Sequence, residues 1–407
     1  MHKKILAAIL LIALAISATL ATVSASDLEE DLKNDINNAA DGNTIGATSI
    51  PMTAQSAVLM DSETGTVLYA QNAHEALPPA SVTKIMTLLI VAEAIENGSI
   101  SPEDKVTVSA NAASMGGSQI FIKEGEEFTV EELLKSAVIA SANDAAVALA
   151  ELITGSEESF ADMMNERAAL LGMKNSSFEN ATGLDDTVTK HLTSAYDIAL
   201  MSRELIKHPI ILKYSNVWQD SIRDGEFVLT NTNRLVRYYS GCTGLKTGST
   251  DKAGFCVSAT AERDGMHLIA VIMGAPTREE RNNAARALLD YGFATFGMYK
   301  DPECVLEDVP LSKGTCKSVK VYSKGFSLLC AKTDIKKIEK KYNIPATLTA
   351  PISEGAKVGE IVYMIGDSEV GKADICASSS VDRISFADVF VGLIKSLIVG
   401  NRRLHVE

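Results

Sequence analysis

Ser81 and Lys84 stand three residues apart in Pro79-Ala80-Ser81-Val82-Thr83-Lys84-Ile85-Met86-Thr87, where a polar segment passes into the apolar run Leu88-Leu89-Ile90-Val91. Residues at i and i+3 of a helix project from one face, so the hydroxyl and the amine come within reach of each other. Burial disfavours the ammonium form of a lysine. A neutral amine can accept a serine proton, which makes a nucleophile–base pair without histidine. The S-x-x-K spacing alone is common by chance, and its plain alternative is a solvent-exposed lysine on a first helical turn. Two further polar groups change the reading. Ser141-Ala142-Asn143 interrupts the apolar segment Ala137–Glu151, and Lys246-Thr247-Gly248 lies in Gly241-Cys242-Thr243-Gly244-Leu245-Lys246-Thr247-Gly248 on a predicted strand.

Other hydrolytic solutions are missing. There is no G-x-S-x-G, and of the six histidines only His191, in Thr189-Lys190-His191-Leu192-Thr193, has polar neighbours; it is read as structural. None of the six cysteines forms a C-x-x-C, and no Cys/His cluster has zinc spacing, so neither metal nor cofactor is expected. Cys242 and Cys256 flank a predicted hairpin and are candidates to face each other.

The elements that must position these groups follow from periodicity. Residues 56–72 alternate apolar and polar on both sides of Asp61-Ser62-Glu63-Thr64-Gly65, a hairpin pattern. Ser81 to Glu96 reads as helix. Helices follow over 129–153, with Thr129 and Glu132 spaced as a capping box, and again over 159–173 and 194–208. Strands return near 226–233, 244–248, 254–262 and 267–275, and 278–296 closes the segment as a helix. Strands at both ends with helices between them give an α+β class, an antiparallel sheet from the two chain ends covering a helical cluster. Near Tyr299 the texture changes to short β-like runs split by Gly, Pro and Lys. The expected domains are therefore 51–299, a β-rich domain over 300–376, and a tail over 377–407.

The chain has 407 residues, 46% hydrophobic and 22% charged, with a formal charge of −14, which suits a multidomain globular protein and argues against nucleic acid as a partner. Lys3-Lys4 followed by an apolar run and Val23-Ser24-Ala25 read as an export signal over 1–25, the alternative being an uncleaved anchor. Residues 26–50 read as an acidic spacer. In the tail, Phe386, Val389, Phe390, Leu393, Ile394, Leu397 and Ile398 form an apolar stripe. It is shorter than the ~20 residues that span a bilayer, so an in-plane amphipathic anchor is expected; a helix docked on the β-rich domain is the alternative.

In order, the three fragments match the S-x-x-K, S-D-N and K-T-G signature of penicillin-binding proteins and class A β-lactamases, with Ser141-Ala142-Asn143 standing in for Ser-Asp-Asn. With Leu77–Thr87, Ser141–Ser156, Ala181–Asp186 and Leu245–Phe255 added, residues 54–296 resemble the D-alanyl-D-alanine carboxypeptidases of serine peptidase family S11, the low-molecular-mass penicillin-binding proteins. The resemblance implies a β-lactamase/transpeptidase-like catalytic domain acting on peptidoglycan stem peptides and acylated by β-lactam antibiotics. By matching positions, Ser81 would be the nucleophile and Lys84 the base. Ser141 would relay protons, and Asn143 would bind the substrate amide and steady Lys84. Lys246, Thr247, Gly248 and Arg281 would fix the substrate and its carboxylate, and the backbone N–H groups of Ser81 and Ser249 would form the oxyanion hole. Ser249 occupies a position where some relatives carry histidine, which leaves its side-chain role open. A β-lactamase or D,D-endopeptidase on the same scaffold and a non-enzymatic wall-binding protein are the competing readings. An efficient β-lactamase needs a dedicated deacylating base, and no segment supplies the class A glutamate.

Overall fold

The computed structural model describes residues 50–401 apart from 186 and 187. The signal and all but the last residue of the acidic spacer lie outside the described residues. What is described divides into two compact units between Asp290 and Tyr291.

In the first unit, β1 (Ser56–Asp61) and β2 (Val67–Gln71) form the expected hairpin. Its turn closes on Asp61, whose carboxylate accepts from the Thr64 backbone N–H at 2.8 Å and hydroxyl at 2.7 Å, a side-chain mimic of a backbone turn. The chain then runs through a short 3-10 turn (Ala80–Thr83) into α1 (Lys84–Glu96). Next come α2 (Val130–Ile139), α3 (Asn143–Thr154), α4 (Glu157–Leu170) and α5 (Ala195–Leu205). The Thr129–Glu132 capping box that opens α2 is present in both directions. After a short helix (Pro209–Ser215) and a hairpin of Gln219–Ile222 with Phe227–Thr230 come β3 (Cys242–Thr250), β4 (Gly254–Arg263) and β5 (Met266–Ala275), and then α6 (Arg278–Thr295), which continues past Asp290.

The sheet runs β2-β1-β5-β4-β3, antiparallel throughout, so strands from both ends of the unit share one sheet. Alternation along β1 sends Val58 and Met60 into the core shared with the helices, where they join Ile85, Leu89, Leu134, Val147 and Ile198. Ala57 and Leu59 point the other way and are also buried, so the expected apolar/polar alternation does not hold in β1: both of its faces are covered, and Ala57–Met60 is a continuous apolar run.

Two expectations need correction. The helix expected from Ser81 begins as a 3-10 turn, and α geometry starts only at Lys84. In 3-10 geometry residues i and i+3 eclipse, which brings Ser81 and Lys84 closer to alignment than an α-helix would. Cys242 and Cys256 do not face each other: Cys242 lies opposite Ala261 and Cys256 opposite Gly248, and both thiols are free. The bulge between Cys242 and Gly244 and the β3–β4 turn at 251–253 set a register that keeps them apart.

The second unit is β-rich. A five-stranded sheet is built around Ser368–Ala377 and Lys357–Ile365, with smaller two- and three-stranded pieces beside it. Val309, Val321, Ile361, Tyr363 and Ile375 make its core. Val381 and Arg383 still bridge to Ile352 and Gly314. Only then does α7 (Phe386–Asn401) begin, capped by Ser385, whose hydroxyl accepts from the Asp388 N–H at 3.1 Å while the Asp388 carboxylate accepts from the Ser385 N–H at 3.0 Å. Large apolar side chains of its stripe face solvent: Phe386, Val389 and Phe390 are 85%, 43% and 54% exposed. Among the described residues no helix is long and apolar enough to cross a membrane.

Candidate active site

The three motifs meet where β3, the 3-10 turn and the α2–α3 link converge. Ser81, Ser141, Thr247, Gly248, Ser249 and Arg281 line one cavity of about 190 Å³, joined by Ser118, Thr232 and Arg278.

Ser81 follows Ala80, a non-glycine residue held at φ +49°, and is half-exposed at the cavity floor. Lys84 is fully buried. Its Nζ lies 3.1 Å from Ser81 Oγ, bonds to Asn143 Oδ1, and donates to the Thr182 carbonyl at 2.9 Å. The amide of Asn143 is oriented by its other end, where Nδ2 donates to the Gly116 carbonyl at 2.7 Å. Both outer partners of Nζ, an amide oxygen and a backbone carbonyl, only accept. A neutral amine has two N–H bonds and one lone pair; with both N–H bonds used, the lone pair faces the Ser81 hydroxyl. Burial, and then the charge of Lys246, holds the Lys84 amine well below the usual lysine range, in keeping with that count.

Ser141 sits between α2 and α3 at φ +63°, a left-handed conformation that turns its side chain toward β3. Lys246 Nζ donates to Ser141 Oγ at 2.7 Å and to the Thr247 carbonyl at 3.0 Å. Burial and the neighbouring Arg281 push the Lys246 amine down to about 7. Thr247 donates to Thr232 Oγ1 at 2.8 Å. Gly248 is required by proximity: a Cβ there would stand 2.7 Å from the Ser81 N and 2.9 Å from the Pro79 carbonyl. The strand therefore passes directly over the serine turn. Arg281 is 3% exposed, with Nε and Nη2 donating to Asn282 Oδ1 at 3.1 and 2.9 Å. Burial and Arg278 lower it to about 10, which still leaves it charged near neutrality.

All nine residues expected from sequence thus lie at this site or on its walls. Several others escaped the sequence reading. Ser118 and Gly116 lie on an irregular segment whose carbonyls accept from the Asn143 N–H and side chain at 2.7 Å each. Asp144 is buried, and its carboxylate accepts from the N–H groups of Ile120 at 3.0 Å and Ile122 at 3.3 Å, tying that segment to α3. A carboxylate in Asn143-Asp144-Ala145-Ala146-Val147 was a usable signal, because a charge inside an apolar helix needs partners. His191 is structural as expected: its Nδ1 accepts from the Glu179 N–H at 3.0 Å, which leaves Nε2 to donate to Thr83 Oγ1 at 2.8 Å. Burial lowers its pKa to about 4 and keeps it neutral.

Fold and site together define a serine hydrolase of the penicillin-binding type, with lysine in place of histidine beside the nucleophile. The D-alanyl-D-alanine carboxypeptidase family model matches residues 43–277, and a model of the penicillin-binding protein 5 C-terminal domain matches residues 293–383. The chain belongs to the D-alanyl-D-alanine carboxypeptidase family, serine peptidases of family S11. It is 43% identical over 341 residues to the D-alanyl-D-alanine carboxypeptidase DacF of Bacillus subtilis, covering 82% of this chain and 87% of the relative. It is 36% identical over 341 residues to DacD of Escherichia coli, covering 81% and 87%. Among solved structures, penicillin binding protein 5 from Haemophilus influenzae superposes with a TM-score of 0.70 at 30% identity, covering 83% of this chain and all of the other. Penicillin-binding protein D2 from Listeria monocytogenes, in an ampicillin-bound form, gives 0.56 at 32% identity, covering 60% of this chain and all of the other.

Proposed function

We infer that the protein removes the terminal D-alanine from peptidoglycan stem pentapeptides through an acyl-enzyme on Ser81, and that penicillins acylate the same oxygen. The observation that carries this reading is the Lys84 amine, buried, with two acceptor-only partners and the Ser81 hydroxyl at 3.1 Å.

Ser81 Oγ attacks the carbonyl carbon of the penultimate D-alanine as its proton passes to Lys84 Nζ, forming the C–O bond. The developing oxyanion lies between the backbone N–H groups of Ser81 and Ser249. The Gly248 contact supports this pairing, because it brings the β3 backbone against the serine turn. One such donor is typically worth about 10²–10³ in rate. As the C–N bond breaks, Ser141 delivers a proton to the leaving amine and is resupplied by Lys246, to which it is bonded at 2.7 Å. Lys246, Thr247 and Arg281 hold the substrate carboxylate, a cationic pocket in a protein of net charge −14. Once the Lys84 proton has passed on to refill Lys246, the neutral Lys84 amine takes a proton from water as the water oxygen attacks the ester carbon, and gives that proton to Ser81 Oγ as the C–O bond breaks. In a penicillin the opened ring keeps its leaving nitrogen tethered to the acyl group, so the ester persists.

Residues 51–290 form the catalytic domain in this reading and 291–385 an accessory domain, in place of the expected limits at 299 and 376, and α7 with the residues after it is an in-plane anchor on the outer face of the cytoplasmic membrane after export. The exposed Phe386, Val389 and Phe390 support the anchor over a helix docked on the β-rich domain.

The purified chain is tested with diacetyl-Lys-D-Ala-D-Ala and with a fluorescent penicillin, beside Ser81→Ala and Lys84→Arg. Wild type is expected to release D-alanine and take the label, and both variants to lose both reactions by at least about a hundredfold. Release of D-alanine by Ser81→Ala at the wild-type rate would remove Ser81 as nucleophile.

A further inference from the structure

The segment Asn180–Leu184 has no regular secondary structure, yet it carries the carbonyl that receives the Lys84 amine. It is braced internally: Asn180 Oδ1 accepts from the N–H groups of Thr182 at 3.1 Å and Gly183 at 2.7 Å, and Nδ2 donates to the Leu184 carbonyl at 2.8 Å. It also presses on the nucleophile turn. Gly183 sits at φ +82°, and a Cβ there would come 1.8 Å from the Ala80 carbonyl oxygen, so no other residue fits. The segment is gripped from outside at one residue, Ala181, through the peptide groups on both sides of it. Glu157, the first residue of α4, accepts the Ala181 N–H at 3.0 Å, and Thr87 of α1 donates to the Ala181 carbonyl at 2.6 Å. The next carbonyl along, Thr182, is the one bonded to Lys84 at 2.9 Å.

We propose that Glu157 is a positioning residue for Lys84: by holding the Ala181 N–H it fixes the backbone whose Thr182 carbonyl receives the amine, and its negative charge favours the ammonium that forms when Lys84 takes the Ser81 proton. The N-terminus of α4 suits that carboxylate, and so does the Ala181 N–H. Burial raises the Glu157 carboxyl above its ordinary range, and the charges of Glu157 and Lys84 act on each other. The other charged or titratable groups facing this centre are Lys246 from β3, Asp144 from α3, and the neutral ring of His191; Glu151 of α3 faces Glu157 itself. Lys246 disfavours the ammonium form of Lys84. Asp144 favours the ammonium form, more strongly than Glu157 does, but its oxygens hold the Ile120 and Ile122 N–H groups and not the segment under the amine. Glu157 is the carboxylate bonded to the segment that touches the base.

This inference rests on Lys84 being the base, and its test separates the two. Fluorescent-penicillin acylation is measured against pH for wild type, Glu157→Gln and Thr87→Val. Acylation requires neutral Lys84, so it rises with pH through the Lys84 titration; removing a nearby negative charge weakens the base and moves that rise to lower pH. Glu157→Gln keeps an oxygen for the Ala181 N–H, and is expected to shift the rising limb down by up to about one unit and to lower the plateau about tenfold. Thr87→Val keeps the charge but releases the Ala181 carbonyl, and is expected to lower the plateau with the limb in place. A Glu157→Gln limb that coincides with wild type, or a Thr87→Val limb that moves as far, overturns the proposal while leaving Lys84 as base. If Glu157→Gln does not fold, Glu157→Asp replaces it: the retreating charge should move the limb in the same direction by a smaller amount, and an unmoved limb is equally fatal. Undiminished acylation in Lys84→Arg, by contrast, would sink the base assignment itself.

Discussion

Two buried lysines stand at the site, and the proposed reaction divides the work between them by charge: Lys84 would act when neutral and Lys246 when charged, while the surroundings push both in the same direction, down. For Lys246, burial acts first and Arg281 second, leaving it near 7. The free enzyme should therefore lose affinity for the substrate carboxylate as pH rises past about 7, because Lys246 sheds its proton while Arg281, lowered only to about 10, stays charged. Arg281→Gln removes one carboxylate partner but also the positive neighbour that depresses Lys246. The expected result, read from kcat/KM against pH for diacetyl-Lys-D-Ala-D-Ala, is a KM raised on the order of tenfold with the basic limb moved to higher pH. A basic limb that stays in place would show that Lys246 does not set it.

At the scale of elements, the site depends on segments that periodicity does not describe. Asp144 holds the Gly116–Ile122 segment to α3 with its buried carboxylate. In Asp144→Asn one amide oxygen replaces two charged ones, and hydrogen bonds to a charged acceptor are worth about 1.5–3 kcal/mol each. Urea unfolding should show a loss of about 2–3 kcal/mol, with slower penicillin acylation because Gly116 and Ser118 no longer brace Asn143. Stability within about 0.5 kcal/mol of wild type would mean the backbone donors find other partners. Legibility in the sequence follows the same division. Ser81, Lys84, Ser141, Asn143 and Lys246 could be found because the chemistry needs those side chains at short, fixed spacings. The hairpin, the capping box and the helices could be found because burial imposes a period on the chain. Thr182 and Gly116 could not, because they contribute backbone carbonyls, which any residue has. Arg278 and Thr232 reach the cavity from elements whose approach only the folded sheet defines. The Cys242–Cys256 expectation failed because a hairpin's register depends on its bulge and turn, which composition does not fix.

For the whole molecule, the β-rich unit extends past the strand that ends at Ala377, since Val381 and Arg383 still bridge into it. A truncation that tests the anchor should therefore remove 386–407 and keep Ser385. The shortened protein is expected in the supernatant after sedimentation of membranes, with its activity on the soluble peptide unchanged; persistence in the membrane fraction would move the anchor to the N-terminal apolar run. The interleaved sheet has a consequence of its own, for how the active state is reached. Ser56 pairs with Met273, and the nucleophile near one end of the unit is covered by a strand from the other. Closing a loop of roughly 200 residues costs chain entropy before any of its contacts return energy, and such topologies fold slowly. No N-terminal fragment that stops before β3 contains Lys246 or the backbone that passes over Ser81. Activity therefore arrives only when the last strands dock, so a growing or partly delivered chain carries its serine and lysine without a working pair.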